Sequence, residues 1–419
     1  MSRCLDVYLR NQQVGVLEQD DDANLNFTYS EEYLALDTSK AISVSMPLAN
    51  TTYSNAVARP YFSGLLPDES ARTRLAAALG VSDTNAFGML EIIGGECAGA
   101  LALYAQKQPR PGPQTADEIL DEKQLSALLQ ELRGNPLLGG RNDIRLSLAG
   151  AQDKLAVNIH DGKIAIVKNG EPTTHILKPS IEGLDGTAQN EVFCMLLAAR
   201  VGLTAPEVQF STAGSAAYIL IKRFDRQQLA GEPVQRLHQE DFCQALSVPP
   251  ELKYEDEGGP SIEQSLGLIQ RVVEQPAADR LKFLQTQIFH YLVGNADAHA
   301  KNYALLYPME SNAPSLAPLY DVVCTASYPA LTKKFAMRIG GRNIADTITL
   351  THWLSLVPNT KASHQLLIRQ ITSLAQAIVP EAEKLLSESK QLGFNHKILT
   401  VVNKIIKSRA KMLLQSVAV

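Results

Sequence analysis

Apolar and polar positions alternate over Cys4–Leu9 and again over Gly15–Leu17, on either side of the polar stretch Asn11-Gln12-Gln13. That is the pattern of two strands joined by a hairpin turn. The acidic run Glu18, Asp20, Asp21 and Asp22 then reads as a solvated loop. A helix is predicted from Asp68 to Gly80, and a last apolar stretch, Ala98–Tyr104, follows Gly94-Gly95. The segment QKQPRPGPQT at 106–115 has the Pro-rich composition of an extended connection, so a boundary is placed there. A short helix is expected over Ala116–Leu132.

From about 144 to 225 the period is mostly two. Leu155–Ile159 and Ile164–Val167 bracket Asp161-Gly162, a pair suited to a type I′ turn. A further strand ends in His175-Ile-Leu-Lys178-Pro179, a helix over Ala188–Val201 stops at Gly202, and Ala217–Phe224 reads as a buried strand. Beyond 238 the pattern turns helical. Leu281, Leu284, Ile288 and Leu292 form one stripe ending at Gly294, and Leu367, Ile371, Leu374 and Ile378 form another. The expected class is α+β: a small α/β N-terminal subdomain (1–110), then a bilobal core. Its parts are a β-rich lobe with its linker (111–240) and a mainly helical lobe (241–419).

Polar residues interrupt this pattern at four places where packing does not call for them. Ser147-Leu-Ala-Gly-Ala-Gln-Asp-Lys154 is a small-residue loop that lets backbone N–H groups approach an anion, with Lys154 as a point charge; alone it also reads as a turn before a strand. Lys178 ends an apolar strand, where an inward ammonium needs a phosphate or carboxylate and an outward one simply snorkels. Asp297-Ala-His-Ala-Lys-Asn302 follows a buried helix. Its Asp-to-Asn spacing is that of a phosphotransfer loop, in which Asp accepts the nucleophile's proton and Asn holds Mg²⁺. Leu319–Val323 places Asp321 in an apolar strand about twenty residues later, where a buried carboxylate needs a cation. The order of these four matches a protein-kinase-like fold, with a β lobe over a helical lobe.

Lys and Arg total 39 against 44 Asp and Glu, a net charge of −5, which excludes a polycationic nucleic-acid binder but not a local basic patch. Five Cys, at 4, 97, 194, 243 and 324, lie too far apart for a zinc site or disulfide framework and read as reduced thiols. No apolar run is long enough for a membrane helix and no secretory leader stands at the start, so a soluble cytoplasmic protein without membrane association is expected.

The stretches FSGLLPDES (62–70), LSLAGAQDK (146–154), THILKP (174–179), NEVFC (190–194), KRFDR (222–226), QEDFCQAL (239–246), GNADAHAKN (294–302) and PLYDVV (318–323) carry a family resemblance. The chain resembles the HipA serine/threonine-kinase toxins of bacterial HipA–HipB toxin–antitoxin modules, nearly end to end. The resemblance implies ATP and Mg²⁺ as cofactors, Asp297 as catalytic base, and Asn302 and Asp321 as metal ligands. It implies nucleotide binding by Ala149, Gly150, Ala151, Gln152, Asp153, Lys154 and Lys178, by Lys222, Arg223 and Phe224 on the adenine side, and by His299, Ala300, Lys301, Asn302, Tyr320 and Asp321. Ser147 matches the serine that such kinases autophosphorylate to switch themselves off. The family often has Gly at Ala298, Glu at Asp153 and an acidic residue at Lys222. Glu191 stands where a lysine partner or a surface residue would both fit.

The same resemblance implies glutamate–tRNA ligase as protein substrate and a corepressor role with the HipB dimer on operator DNA, which would make the protein nucleoid-associated when so bound. After Glu388 no acidic residue occurs, while Lys390, Lys397, Lys404, Lys407, Arg409 and Lys411 are basic. Lys404, Lys407 and Lys411 are the candidate phosphate contacts; a solvated helix face is the plain alternative. A catalytically quiescent corepressor is the competing reading of function, and a small-molecule phosphotransferase is disfavoured by the Ser147 loop.

Overall fold

The computed structural model describes residues 2–106, 116–141, 144–168, 170–228, 232–311 and 313–418. The proposed linker thus lies almost wholly outside the described residues. Strands β1 (Arg3–Leu9), β2 (Gln12–Gln19), β3 (Leu25–Tyr29), β4 (Thr52–Tyr53) and β5 (Leu101–Ala105) form an antiparallel sheet ordered β4-β3-β2-β1-β5. On β1 the alternation is real: Leu5, Val7 and Leu9 are buried and their neighbours are not. The hairpin turn is tighter than the sequence suggests. Gln12 and Gln13 already pair with β1, leaving Arg10 and Asn11 as the loop, with Arg10 at φ 59°.

A second antiparallel sheet, ordered β10-β11-β9-β7-β8-β6, forms the roof of the catalytic unit. Its strands are β6 (Glu118–Ile119), β7 (Leu155–His160), β8 (Lys163–Ile166), β9 (His175–Pro179), β10 (Val208–Ala213) and β11 (Ala216–Lys222). The β7–β8 turn has Asp161 at φ 48° and Gly162 at φ 75°, both positive as a type I′ turn demands. Two expectations need correction here. Residues 118–119 join the sheet edge, and the helix begins only at Glu122, after Asp121 accepts a bond from Gln124 N and Gln124 returns one in a capping box. The strand expected to reach Phe224 stops at Lys222: Arg223 N still donates to Thr174 O, and a turn begins at Phe224.

The helical lobe is built around Pro276–Val293. The sequence suggested a single buried stripe, but Leu281 is only half-buried, while Phe283, Thr286, Gln287, Phe289, His290 and Tyr291 are buried as well, so the C-terminal half of this helix is enclosed on nearly every side. Helices Ile262–Val272, Lys361–Glu388 and Lys397–Ala418 pack around it, and Thr187–Arg200 packs against the last two. Two apolar cores result. One runs from Leu5 to Tyr218 and is shared by the N-terminal sheet and the roof; the other runs from Val192 to Leu413. Among the described residues no helix is long and apolar enough to cross a membrane.

Candidate active site

Between the roof, the helical lobe and the N-terminal unit lies a cleft of ≈ 690 Å³. On the helical-lobe side its lining begins at Asn295, just past the Pro276–Val293 helix, which ends at Gly294 in the left-handed region (φ 74°). A Cβ there would also come within 2.9 Å of Ala326, so only glycine lets the chain turn this sharply into Asn295–Asn302. Asp297 opens onto the cleft. Its backbone N–H donates to Asn295 Oδ1 at 3.0 Å, and Asn302 Nδ2 donates to its carbonyl at 3.0 Å, closing the loop on itself. Dehydration by the cleft walls pushes the Asp297 carboxyl up to about 6. Tyr254, which the sequence did not single out, donates its hydroxyl to Asp297 Oδ1 at 2.7 Å.

Lys178 comes down from β9 and is buried at 4% exposure. Its ammonium donates to Glu191 Oε1 at 2.7 Å and to Asp321 Oδ1 at 2.6 Å. Glu191 is therefore a buried partner of the lysine and not a surface residue. Burial alone would depress the lysine, but Asp321 and Glu191 more than offset it and hold the ammonium well above its usual range. Burial raises Glu191, and Lys178 only partly offsets this; for Asp321 the pull of Lys178 and Lys154 wins over burial, and its carboxyl lies well below the usual carboxylate range.

The segment carrying Asp321 is not the apolar strand the sequence suggested. It is an irregular loop, with Asp321 at φ 59°. Asp tolerates that region better than most residues. The turn directs the carboxylate into the cleft instead of into packing, so its charge needs less compensation than a strand interior would demand. Asn190, one residue before Glu191, anchors the loop: its Oδ1 accepts from Cys324 N at 2.9 Å and its Nδ2 donates to Cys324 O at 3.2 Å.

Ala149, Gly150, Ala151, Gln152, Asp153 and Lys154 line the cleft from above, with Gly150 at φ 109°. Lys154 donates to Ala149 O at 2.7 Å, closing the loop, and burial together with Lys178 pushes it down to about 8. Gln152 donates to Pro179 O at 3.0 Å and Asp153 pairs with Arg74. Ser147 lies outside the cleft lining; it is fully buried and its hydroxyl donates to Leu65 O at 2.7 Å.

On the side expected to meet adenine, Lys222 and Phe224 border the cleft, Phe224 lying 5.4 Å from the Tyr320 ring between centroids. Lys222 pairs with Glu207 at 3.2 Å on the surface. Arg223 also lines the cleft, and its guanidinium is buried against Asp225 at 2.8 Å, with Glu96 at 3.5 Å, so its side-chain charge is engaged within the fold. Ala300 is fully buried and does not line the cleft. Lys301 lines the cleft, but its charge is engaged by Asp68 at 2.8 Å. His299 is buried and held neutral, pushed down to about 3 by burial and by Lys253 and Lys301.

A divalent cation is tested by the donors that remain. Among the described residues no cluster of three or more His, Cys, Asp or Glu forms a metal cage. Among the described residues no hydrogen bond engages the Asn302 amide oxygen, and Lys178 bonds Asp321 through Oδ1; both residues line the cleft. One carboxylate and one amide oxygen fit Mg²⁺, which takes the rest of its shell from water and phosphate oxygens.

The basic run near the C-terminus is less uniform than its sequence. Lys404, Lys407 and Lys411 are exposed, but Lys407 pairs with Glu383, Lys397 pairs with Asp185, and Arg409 turns inward over the Tyr291 and Phe335 rings.

Comparison with known proteins agrees with this architecture. Residues 5–104 match the HipA N-terminal domain and residues 146–385 the HipA-like C-terminal domain. The Sinorhizobium fredii protein Y4mE, whose name includes the word kinase, is 39% identical over 419 residues, 99% of each chain. The serine/threonine-protein kinase toxin HipA of Shewanella oneidensis is 28% identical over 397 residues, covering 90% of this chain and 88% of that one. The solved Shewanella oneidensis complex of HipA, HipB and operator DNA contains a chain of the same fold, with TM-score 0.84 at 24% identity over 99% of this chain and 98% of that one. With both regions matched in order and a relative alike from end to end, this chain belongs to the HipA family of kinases.

Proposed function

We propose that this protein is an ATP·Mg²⁺-dependent serine/threonine protein kinase acting as the toxin of a toxin–antitoxin pair. One observation carries the reading: Lys178, held between Glu191 and Asp321, shares a cleft with Asp297 and Asn302. That set divides the work of phosphoryl transfer. Lys178 and the 149–154 loop hold phosphates, Asp321 and Asn302 hold Mg²⁺, and Asp297 accepts the proton of the acceptor hydroxyl. The metal, when bound, neutralises phosphate charge. In this reading 1–110, 111–240 and 241–419 are the N-terminal, nucleotide-binding and catalytic units.

Ser147 is the proposed autophosphorylation site. Its hydroxyl is fully buried, so the loop must open before phosphorylation, and a phosphate there could not return to that position without burying charge. The loop would stay out, and the nucleotide would lose its cradle. Corepression with HipB on operator DNA is part of the same proposal. HipB would read the bases, while Lys404, Lys407 and Lys411 add phosphate contacts at most. Replacing all three by Gln should then flatten the salt dependence of ternary-complex formation by up to about three units of slope. Because Glu383 already engages Lys407, a smaller change is the expected result.

The experiment is transfer of labelled phosphate from Mg·ATP to glutamate–tRNA ligase. Wild type should label it, and Asp297→Ala should reduce the rate by at least about 10²-fold. A folded wild type that labels neither this ligase nor itself would leave the quiescent corepressor as the better reading.

A further inference from the structure

The N-terminal unit supplies a segment, Gly64–Glu69, that reaches the back of both active-site loops. Leu65 O accepts the Ser147 hydroxyl at 2.7 Å, and Asp68 N donates to Gly150 O at 3.2 Å, so the segment supports the phosphate loop. Asp68 faces the other way with its side chain. It is 5% exposed, and its Oδ1 accepts from Lys301 Nζ at 2.8 Å. Lys301 lies between Asp297 and Asn302 on the catalytic loop. The second oxygen of Asp68 lies 3.9 Å from Lys253 Nζ, which Glu69 holds at 2.7 Å, and the residue after Lys253 is the tyrosine bonded to Asp297.

We propose that Asp68 is a positioning residue for phosphoryl transfer, acting through Lys301 to fix the catalytic loop against the phosphate loop. This rests on the kinase reading of the cleft. Lys301 cannot serve as a free phosphate contact while it is bound to Asp68, and its burial makes that bond hard to give up. A single residue of the N-terminal unit thereby holds the reactive loops in register. The N-terminal unit is then part of the active site, and a kinase core cut free of it loses this support. A misplacement of the base by about 1 Å costs on the order of 10²-fold in rate, so the effect should appear in turnover and hardly in nucleotide affinity.

The test compares full-length wild type, Asp68→Asn and the double variant Asp68→Leu/Lys301→Met. The double variant removes both charges together, so neither partner of the Asp68–Lys301 pair is left buried alone, and Lys253 keeps Glu69. Three readouts are taken: phosphotransfer rate at saturating Mg·ATP, Mg·ATP dissociation constant, and hydrogen exchange over 295–302. Expected are a rate loss of about thirtyfold or more, an ATP constant within about threefold of wild type, and faster exchange confined to 295–302 and the 147–154 loop. A folded double variant with wild-type rate and wild-type exchange would overturn the proposal. A wild type without phosphotransfer would instead remove the kinase reading, and the exchange comparison would still decide whether Asp68 holds the loop.

Discussion

Replacing Glu191 by Gln separates what the buried lysine does for stability from what it does for catalysis. Lys178 Nζ is 2.7 Å from Glu191 and 2.6 Å from Asp321. At that separation, with an effective dielectric near 20, each attraction is about 6 kcal/mol before any dehydration is counted. Dehydrating a buried carboxylate costs several kcal/mol, and burial together with the nearby Asp321 charge raises Glu191 despite the pull of Lys178, so cost and gain largely offset for this residue. Neutralising it should therefore change folding stability by no more than about 1.5 kcal/mol, well below the ~3–5 kcal/mol typical of breaking a buried pair. Lys178 remains bonded, but all its charge now falls on Asp321, drawing that carboxylate away from a metal. Phosphotransfer should fall by about 10- to 100-fold, and the Mg²⁺ concentration for half-maximal rate should rise. Urea unfolding and steady-state rates over a Mg²⁺ series measure both. A rate within threefold of wild type, or a stability loss above about 4 kcal/mol, would refute this apportionment.

Asp321→Ala should abolish transfer and weaken Mg·ATP binding, whereas Asp297→Ala should abolish transfer with little effect on nucleotide affinity; calorimetric titration with Mg·ATP separates them. Ser147→Ala should keep phosphorylating an added protein, because its hydroxyl only bonds Leu65 O; loss of activity towards every substrate would make the serine catalytic. Glu240 gives a pH dependence of stability. Burial pushes it up to about 7, despite bonds from Ser43, Tyr307 and Val44. The folded state therefore holds this proton more tightly than the unfolded chain, so its cost is absent below about pH 4.5 and grows to about 3 kcal/mol as pH rises past 7. Glu240→Gln should stabilise the protein relative to wild type at pH 8 and lose that advantage at pH 5, measured by urea unfolding at each pH.

Local patterns carried much of the fold. The type I′ turn at Asp161-Gly162, the Asp68–Gly80 helix limits and the glycine stop at Gly294 all stand as read, because each depends on a few neighbouring residues. Errors arose where distant partners decide. Residues 118–119 become a strand only because β8 offers an edge, and the C-terminal half of the central helix is buried on nearly every side only because three helices pack around it. In the site, spacing brought Asp297, Asn302, Lys178 and Asp321 to one cleft. It could not show that Arg223 turns to Asp225 or that Lys301 is bound by Asp68, nor find Tyr254, since ion-pair and hydrogen-bond partners distant in sequence leave no local pattern.

The central claim is that this cleft transfers phosphate from ATP to a hydroxyl. Intact mass of the purified protein, after phosphatase treatment and then after incubation with Mg·ATP, tests it most directly. The account requires the gain of one phosphate, mapping to Ser147, in wild type and no gain in Asp297→Ala. A folded wild type that binds Mg·ATP yet gains no phosphate, or an Asp297→Ala protein that gains it at the wild-type rate, would contradict the account.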